Sequence, residues 1–389
     1  MRGFGLAGVT AASLLACSPL AADELRIGFM STFTGPGAIL GEQMRDGFLL
    51  GVEHAGGRLG GVETRIVMSD DQLKPDVARQ EVDKLIEREK VHILAGVVFS
   101  NVLMAIYKPA VESDAILISA NAGPSPVAGR QCSENFFSTS WQNDQTHGAV
   151  GKYASSAGYG NVLLLAPNYQ AGKDALTGFK RHYGGEVAEE IYTQLGAVDY
   201  SAEIARIQAA KPDAVFAFMP GGMGINLVKQ YAQAGLTDKI PLLSAFTVDD
   251  STLPAIGEAG LGLASASQWA MDLDNAANKR FVEGFRDRYG YMPAYPASQG
   301  YDAAMLIDAA VKAAGDGFED QDKLREALRH ATFESVRGQW KLNQNHFPIN
   351  DFYLVKASKL EDGTLAMTHG EVVFADYADD YAGECGMKW

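Results

Sequence analysis

Six short stretches carry residue types suited to gripping a small polar molecule. They are Ser31-Thr32-Phe33-Thr34-Gly35-Pro36-Gly37, Phe99-Ser100-Asn101, Asn121-Ala122-Gly123-Pro124-Ser125, Pro167-Asn168-Tyr169-Gln170-Ala171-Gly172, Pro220-Gly221-Gly222-Met223-Gly224 and Ser244-Ala245-Phe246-Thr247. All are uncharged, rich in Gly, Ser, Thr and Asn, and punctuated by aromatic residues. Ser100 opens a helix-like segment, where free backbone N–H groups favour an anion and a hydroxyl adds a further donor. The same serine also reads as an ordinary N-cap. Tyr169, Phe246 and Met223 supply apolar or stacking surface. Asn168 and Gln170 supply groups that can bond a ring hydroxyl, and Thr247 follows Phe246 at the end of its stretch.

Catalytic patterns are missing from the sequence. No G-x-S-x-G elbow follows a strand-like run. The seven histidines (54, 92, 147, 182, 330, 346 and 369) show no metalloprotease or other close ligand spacing. His92 lies in an apolar run and reads as a core residue. Gly221-Gly222-Met223-Gly224 lacks the dinucleotide G-x-G-x-x-G spacing, and no phosphate-binding G-x-x-x-x-G-K-[ST] loop is present. Cys132 and Cys385 lie far apart without a C-x-x-C partner, which argues against zinc. Neither a cofactor nor a metal is expected.

The six stretches need elements to hold them, and the sequence supplies strands alternating with helices. Strand-like runs fall at 25–30, 62–68, 91–98, 115–119, 161–166, 186–193 and 213–219. Helical patterns fall at 38–55, 75–90, after 100, and at 144–157, 173–183, 201–210 and 223–234. Two long helices follow at 275–289 and 295–314, then strand-like runs at 339–342, 352–356 and 371–374. The 91–98 run, VHILAGVV, is almost continuously apolar, as a strand buried on both sheet faces should be. Two successive strand–helix series predict an α/β fold of two doubly wound lobes with mainly parallel sheets. In such sheets ligands sit beyond the carboxyl ends of the strands, where the six stretches fall.

The chain has 389 residues, 33 basic and 48 acidic side chains and a formal net charge of −15. That balance argues against nucleic acid and anionic membrane surfaces as partners. Residues 1–22 read as a secretory signal: Arg2, an apolar run over 6–16, then Pro19 and a small-residue exit at Ala22. Lipidation at Cys17 is the competing reading. No later segment has the 18 or so uninterrupted apolar residues that span a bilayer. In an oxidising compartment the two remaining thiols, Cys132 and Cys385, most simply pair; two separate buried thiols are the alternative.

In order, these segments resemble the type I periplasmic substrate-binding proteins of ABC importers, in the branched-chain amino acid receptor group. The resemblance rests on Gly28-Phe29-Met30-Ser31-Thr32-Phe33-Thr34-Gly35-Pro36, Ala95 to Ser100, Phe137-Ser138-Thr139-Ser140, Phe281 to Tyr289 followed by Pro293, and Tyr301-Asp302-Ala303. It implies two Rossmann-like lobes joined by three crossovers, with lobe 1 as 23–141 plus 272–345 and lobe 2 as 142–271 plus 346–389. It further implies a monomeric, non-enzymatic periplasmic receptor that closes on a ligand and is read by a permease in the inner membrane. The ligand carboxylate would be held by Ser100 and by backbone groups of Asn121, Ala122 and Gly123. Amino-acid receptors use a second-lobe carboxylate for the ammonium, whereas the matching stretch here is Ser244-Ala245-Phe246-Thr247, with no acid before Asp249 and Asp250. Their first-lobe aromatic corresponds to Leu40, and their second-lobe tyrosine falls near Ala171. Residues 119–125, 140–145 and 166–172 look more like the subgroup that takes up benzoates and hydroxycinnamates. The expected ligand is therefore a small aromatic carboxylate. A branched-chain or other amino acid, a sensing subunit that signals to a partner, and an α/β enzyme are the rival readings.

Overall fold

The structure, a computed structural model, describes residues 24–389. The signal and lipidation readings at 1–22 lie outside the described residues. In the first lobe the strands are β1 (Glu24–Ser31), β2 (Glu63–Asp70), β3 (Ile93–Gly96), β4 (Ile116–Ser119) and β5 (Phe136–Ser138). Helices α1 (Ala38–His54), α2 (Pro75–Glu87), α3 (Ser100–Val111) and α4 (Ser125–Ala128) connect them. The sheet is parallel, in the order β2-β1-β3-β4-β5. One row of residues crosses it, pairing Met68 with Phe29, Phe29 with Ala95, Ala95 with Ile118 and Ile118 with Phe137.

The second lobe contains α5 (Asn143–Ser156), β6 (Asn161–Pro167), α6 (Gln170–His182), β7 (Glu186–Thr193), α7 (Ser201–Ala210) and β8 (Ala214–Ala217). It continues with α8 (Gly222–Gln233), β9 (Leu242–Ser244), α9 (Leu253–Ile256) and β10 (Ala264–Ser267). The chain then returns to the first lobe as α10 (Ala276–Tyr289), α11 (Tyr295–Ala314) and α12 (Gln321–Arg329). It ends in the second sheet with the antiparallel pair β11 (Asn350–Lys359) and β12 (Leu365–Tyr377). That sheet runs β12-β11-β10-β9-β8-β6-β7. The lobes are thus joined three times, between β5 and α5, β10 and α10, and α12 and β11.

Helix α11 lies directly against α1, and Gly300 permits the approach: a Cβ there would sit 2.1 Å from the Met44 carbonyl oxygen. A buried ion pair gathers two of the crossovers. Arg337 Nε donates to Asp302 Oδ2 at 3.1 Å, and Arg337 Nη1 donates to the Ser140 carbonyl at 2.8 Å. Asn350 Nδ2 reaches the same carbonyl at 2.9 Å.

The run at 339–342 is not a strand; Leu342 makes only an isolated bridge to Pro348. This segment belongs to the last crossover, and its apolar residues pack locally instead of joining a sheet. Cys132 and Cys385 are bonded, with Sγ atoms 2.01 Å apart, so the pairing expected from the sequence is present. Among the described residues no helix is long and apolar enough to cross a membrane.

Candidate functional site

The carboxyl ends of the strands turn sharply into the space between the lobes. Val97, just after β3, has φ 68°, a conformation that a β-branched residue adopts only under constraint. Its N–H donates to the Met30 carbonyl at 2.8 Å, and its own carbonyl accepts the Ala122 N–H at 3.1 Å. This ties the ends of three strands together and turns Val98, Phe99 and Ser100 inward. Phe246, after β9, also has a positive φ, 59°. Thr247 holds that turn: its hydroxyl donates to the Ala217 carbonyl at 2.7 Å and accepts the Met219 N–H at 2.9 Å.

These turns close on a narrow cavity of about 20 Å³ between the lobes. Leu40, Val98, Phe99, Ser100, Asn121 and Ala122 line it from the first lobe and Trp141 from the first crossover. Asn143, His147, Tyr169, Ala171, Phe218, Pro220 and Phe246 line it from the second lobe, and Tyr295 from the start of α11. The rings form a box. Trp141 stacks on Phe246 at 4.5 Å between centroids, and Tyr295 leans on Phe246 at 4.4 Å. Tyr169 lies nearly parallel to Phe218 at 6.3 Å, and His147 meets Phe218 edge-on at 4.8 Å.

The first-lobe strand ends supply two polar wall residues, Ser100 and Asn121. Phe99, not Ser100, is the N-cap of α3, and no side chain caps the helix. The N-cap reading of Ser100 is thereby corrected: its Oγ instead accepts Asn143 Nδ2 at 3.1 Å, and its hydroxyl proton is left without an acceptor. Asn121 Nδ2 donates to the Val98 carbonyl at 2.6 Å, while its Oδ1 is buried without a partner.

No charged side chain lines this cavity. Burial drives the His147 pKa down to about 3, so the ring is neutral, and its Nδ1 has no partner. Burial also raises the Tyr169 and Tyr295 phenols, which stay protonated. Such a site suits a planar apolar body with one anionic end facing α3. An ammonium would be left without a counter-ion, at a cost of several kcal/mol.

The structure brings Ser100, Asn121, Ala122, Tyr169 and Phe246 to the cavity wall. It does not bring Gly123, Asn168, Gln170, Met223 or Thr247 there. The Ala122 N–H is already bonded to Val97, and the Gly123 N–H donates to Asn143 Oδ1 at 3.1 Å. Gly123 has a packing role, since a Cβ there would sit 2.0 Å from the Trp141 carbonyl oxygen. Asn168 is exposed, because the extended backbone at Tyr169 turns successive side chains to opposite sides. Gln170 Nε2 donates to Asp174 at 2.8 Å. The Met223 sulfur is buried and accepts the Gly196 N–H at 3.2 Å. Thr247 acts through Phe246, as above.

Sequence reasoning missed Asn143, His147, Phe218 and Tyr295 as wall residues. Asn143 and His147 are four apart on α5, a spacing that puts both on one helix face and could have flagged them. Among the described residues no cluster of three or more His, Cys, Asp or Glu could hold a metal.

Two α/β lobes joined by three crossovers, with an aromatic-lined cavity closed between them, define a bilobal solute-binding protein. The chain belongs to the periplasmic binding protein family, whose sequence profile matches residues 24–364. Leu/Ile/Val-binding protein homolog 6 of Brucella melitensis biotype 1 is 29% identical over 361 residues, spanning 90% of this chain and 92% of the relative. A solute-binding protein of an ABC transporter from R. palustris, solved in complex with benzoate, is 35% identical with a TM-score of 0.88, covering 94% of this chain and 100% of that one. Another, from Rhodopseudomonas palustris BisB5 in complex with 3,4-dihydroxybenzoic acid, is 29% identical with a TM-score of 0.86, covering 92% and 99% respectively. The protein is a solute-binding receptor of an ABC transporter, acting with a permease on a small-molecule ligand.

Proposed function

We propose that the protein is an exported, non-enzymatic receptor that delivers a small aromatic carboxylate, of the benzoate or hydroxycinnamate type, to an inner-membrane permease. The observation that carries this reading is the charge-free aromatic box that opens onto the uncapped start of α3. The carboxylate meets the first-turn amides of α3 and the Ser100 hydroxyl, and the ring lies among Tyr169, Phe218 and Phe246. Benzoate and 3,4-dihydroxybenzoate in the two solved relatives support the same class of ligand. We further propose periplasmic placement after removal of residues 1–22, a monomeric state, and the lobe boundaries given by the sequence.

The Leu/Ile/Val-binding name of the Brucella relative favours a branched-chain amino acid as the second reading. Direct titration calorimetry with benzoate, 4-hydroxybenzoate, 4-hydroxycinnamate and leucine decides between the two. Binding of aromatic acids without leucine is expected; leucine alone would overturn the proposal.

A further inference from the structure

Behind the aromatic box lies a second cavity of about 20 Å³, room for one water-sized group such as a hydroxyl. Phe246 and Tyr295 line both spaces, so their rings are the partition between them. The far space is walled by Asp249, Asp250, Ser267 and Trp269. Asp249 is 6% exposed. Its Oδ1 accepts the Ser251 N–H at 2.7 Å, the Ser251 hydroxyl at 2.5 Å and the Thr252 N–H at 3.3 Å. Its Oδ2 is buried with no partner at all. Asp250 differs, because the Met367 N–H donates to its Oδ1 at 2.8 Å. A buried carboxylate oxygen left unpaired beside a cavity marks the place of a missing donor.

The identity of that donor follows from where the acceptor lies. In an α-amino acid one carbon separates ammonium from carboxylate. Such a ligand cannot place its carboxylate at Ser100 and its ammonium beyond the Phe246–Tyr295 partition. A ring hydroxyl opposite the carboxylate points the correct way. Resting on the aromatic-carboxylate reading, we infer that the far cavity is a specificity subsite for the para-hydroxyl of an aromatic acid, with Asp249 Oδ2 as its acceptor. The Phe246 ring stands between the two spaces, so the hydroxyl reaches Asp249 only when that ring is displaced.

The test is a set of dissociation constants for benzoate, 4-hydroxybenzoate and 4-methoxybenzoate, measured on the mature protein and on Asp249→Asn. Asparagine keeps an oxygen for Ser251 and Thr252 but replaces the free acceptor with a donor. The wild type is expected to bind 4-hydroxybenzoate at least about tenfold tighter than either of the other two, the worth of one hydrogen bond to a charged group. In Asp249→Asn that preference should fall to about twofold or less, with benzoate affinity unchanged. The wild-type comparison with 4-methoxybenzoate, which has no proton to give, needs no variant. Equal affinities for the three acids, or a hydroxyl preference that survives Asp249→Asn, would overturn the subsite while leaving the aromatic receptor standing. Leucine binding with no aromatic acid bound would overturn both.

Discussion

Ser100 holds the narrowest chemical role in the molecule. Its side chain is 1% exposed, its oxygen is occupied by Asn143 and its proton remains free. Ser100→Ala is therefore expected to weaken binding of an aromatic acid by about tenfold, the worth of one charge-assisted hydrogen bond, with little change in melting temperature. Calorimetry on the variant checks this, and unchanged affinity would remove the hydroxyl from the site. His147 carries a different signature. Burial holds its folded-state pKa at about 3, below the ordinary 6.5, so folding favours the neutral ring. A histidine depressed in this way contributes stability that is fully present above its unfolded value of about 6.5 and is lost as pH falls toward its folded value. His147→Phe should accordingly lose less stability than the wild type between pH 7 and pH 5, measured by urea unfolding at each pH. Parallel slopes for the two proteins would contradict it.

At the scale of elements, the junction between β4 and the first crossover is set by contact distance. Any side chain at position 123 collides with the Trp141 carbonyl. Gly123→Ala is expected to cost about 1–3 kcal/mol of stability and to displace Trp141 from Phe246, weakening ligand binding as well. A thermal scan together with a titration would show both effects, and full retention of both would mean that the crossover shifts freely. The elements themselves were legible to different degrees. The helices at 201–210 and 295–314 and the strand at 186–193 stand where their patterns put them, because long periodic runs leave little choice of register. β10, four residues long, carries too little pattern to be read, and α12 does not stand out in the sequence reading either. The site divides in the same way. Ser100, Asn121, Tyr169 and Phe246 follow strands directly, so the rule of carboxyl ends found them. His147 lies inside α5 and Tyr295 at a helix start in a distant part of the chain, and only the closing of the two lobes makes them neighbours. Asn168 and Gln170 flank a true wall residue, and alternation of side-chain direction took them elsewhere.

Across the whole molecule, the lobes are held together by direct bonds. Asp174, on α6, accepts the Ser125 N–H at 3.1 Å and the Ser125 hydroxyl at 2.7 Å from the opposite lobe, and Asn143 Nδ2 at 2.9 Å. The Gly222 N–H donates to the Pro36 carbonyl, also across the cleft, at 3.0 Å. These bonds favour the closed arrangement before any ligand contributes, and the share of closed protein scales the apparent affinity. Asp174→Asn sets an amide donor against donors. It is expected to raise the radius of gyration of the ligand-free protein in small-angle scattering and to weaken binding about tenfold through opening alone. An unchanged radius would show that the latch contributes nothing to closure.

The bond between Cys132 and Cys385 has a consequence in time. Its two ends lie 253 residues apart. In a chain delivered through a membrane from its N-terminus, the first thiol arrives early and waits. It has no native partner until residue 385 follows, and during that interval it is available to any other thiol it meets. Under the export proposed above, maturation of this receptor waits for the segment that carries Cys385, and a chain halted short of residue 385 would carry a reactive sulfur for as long as it persisted.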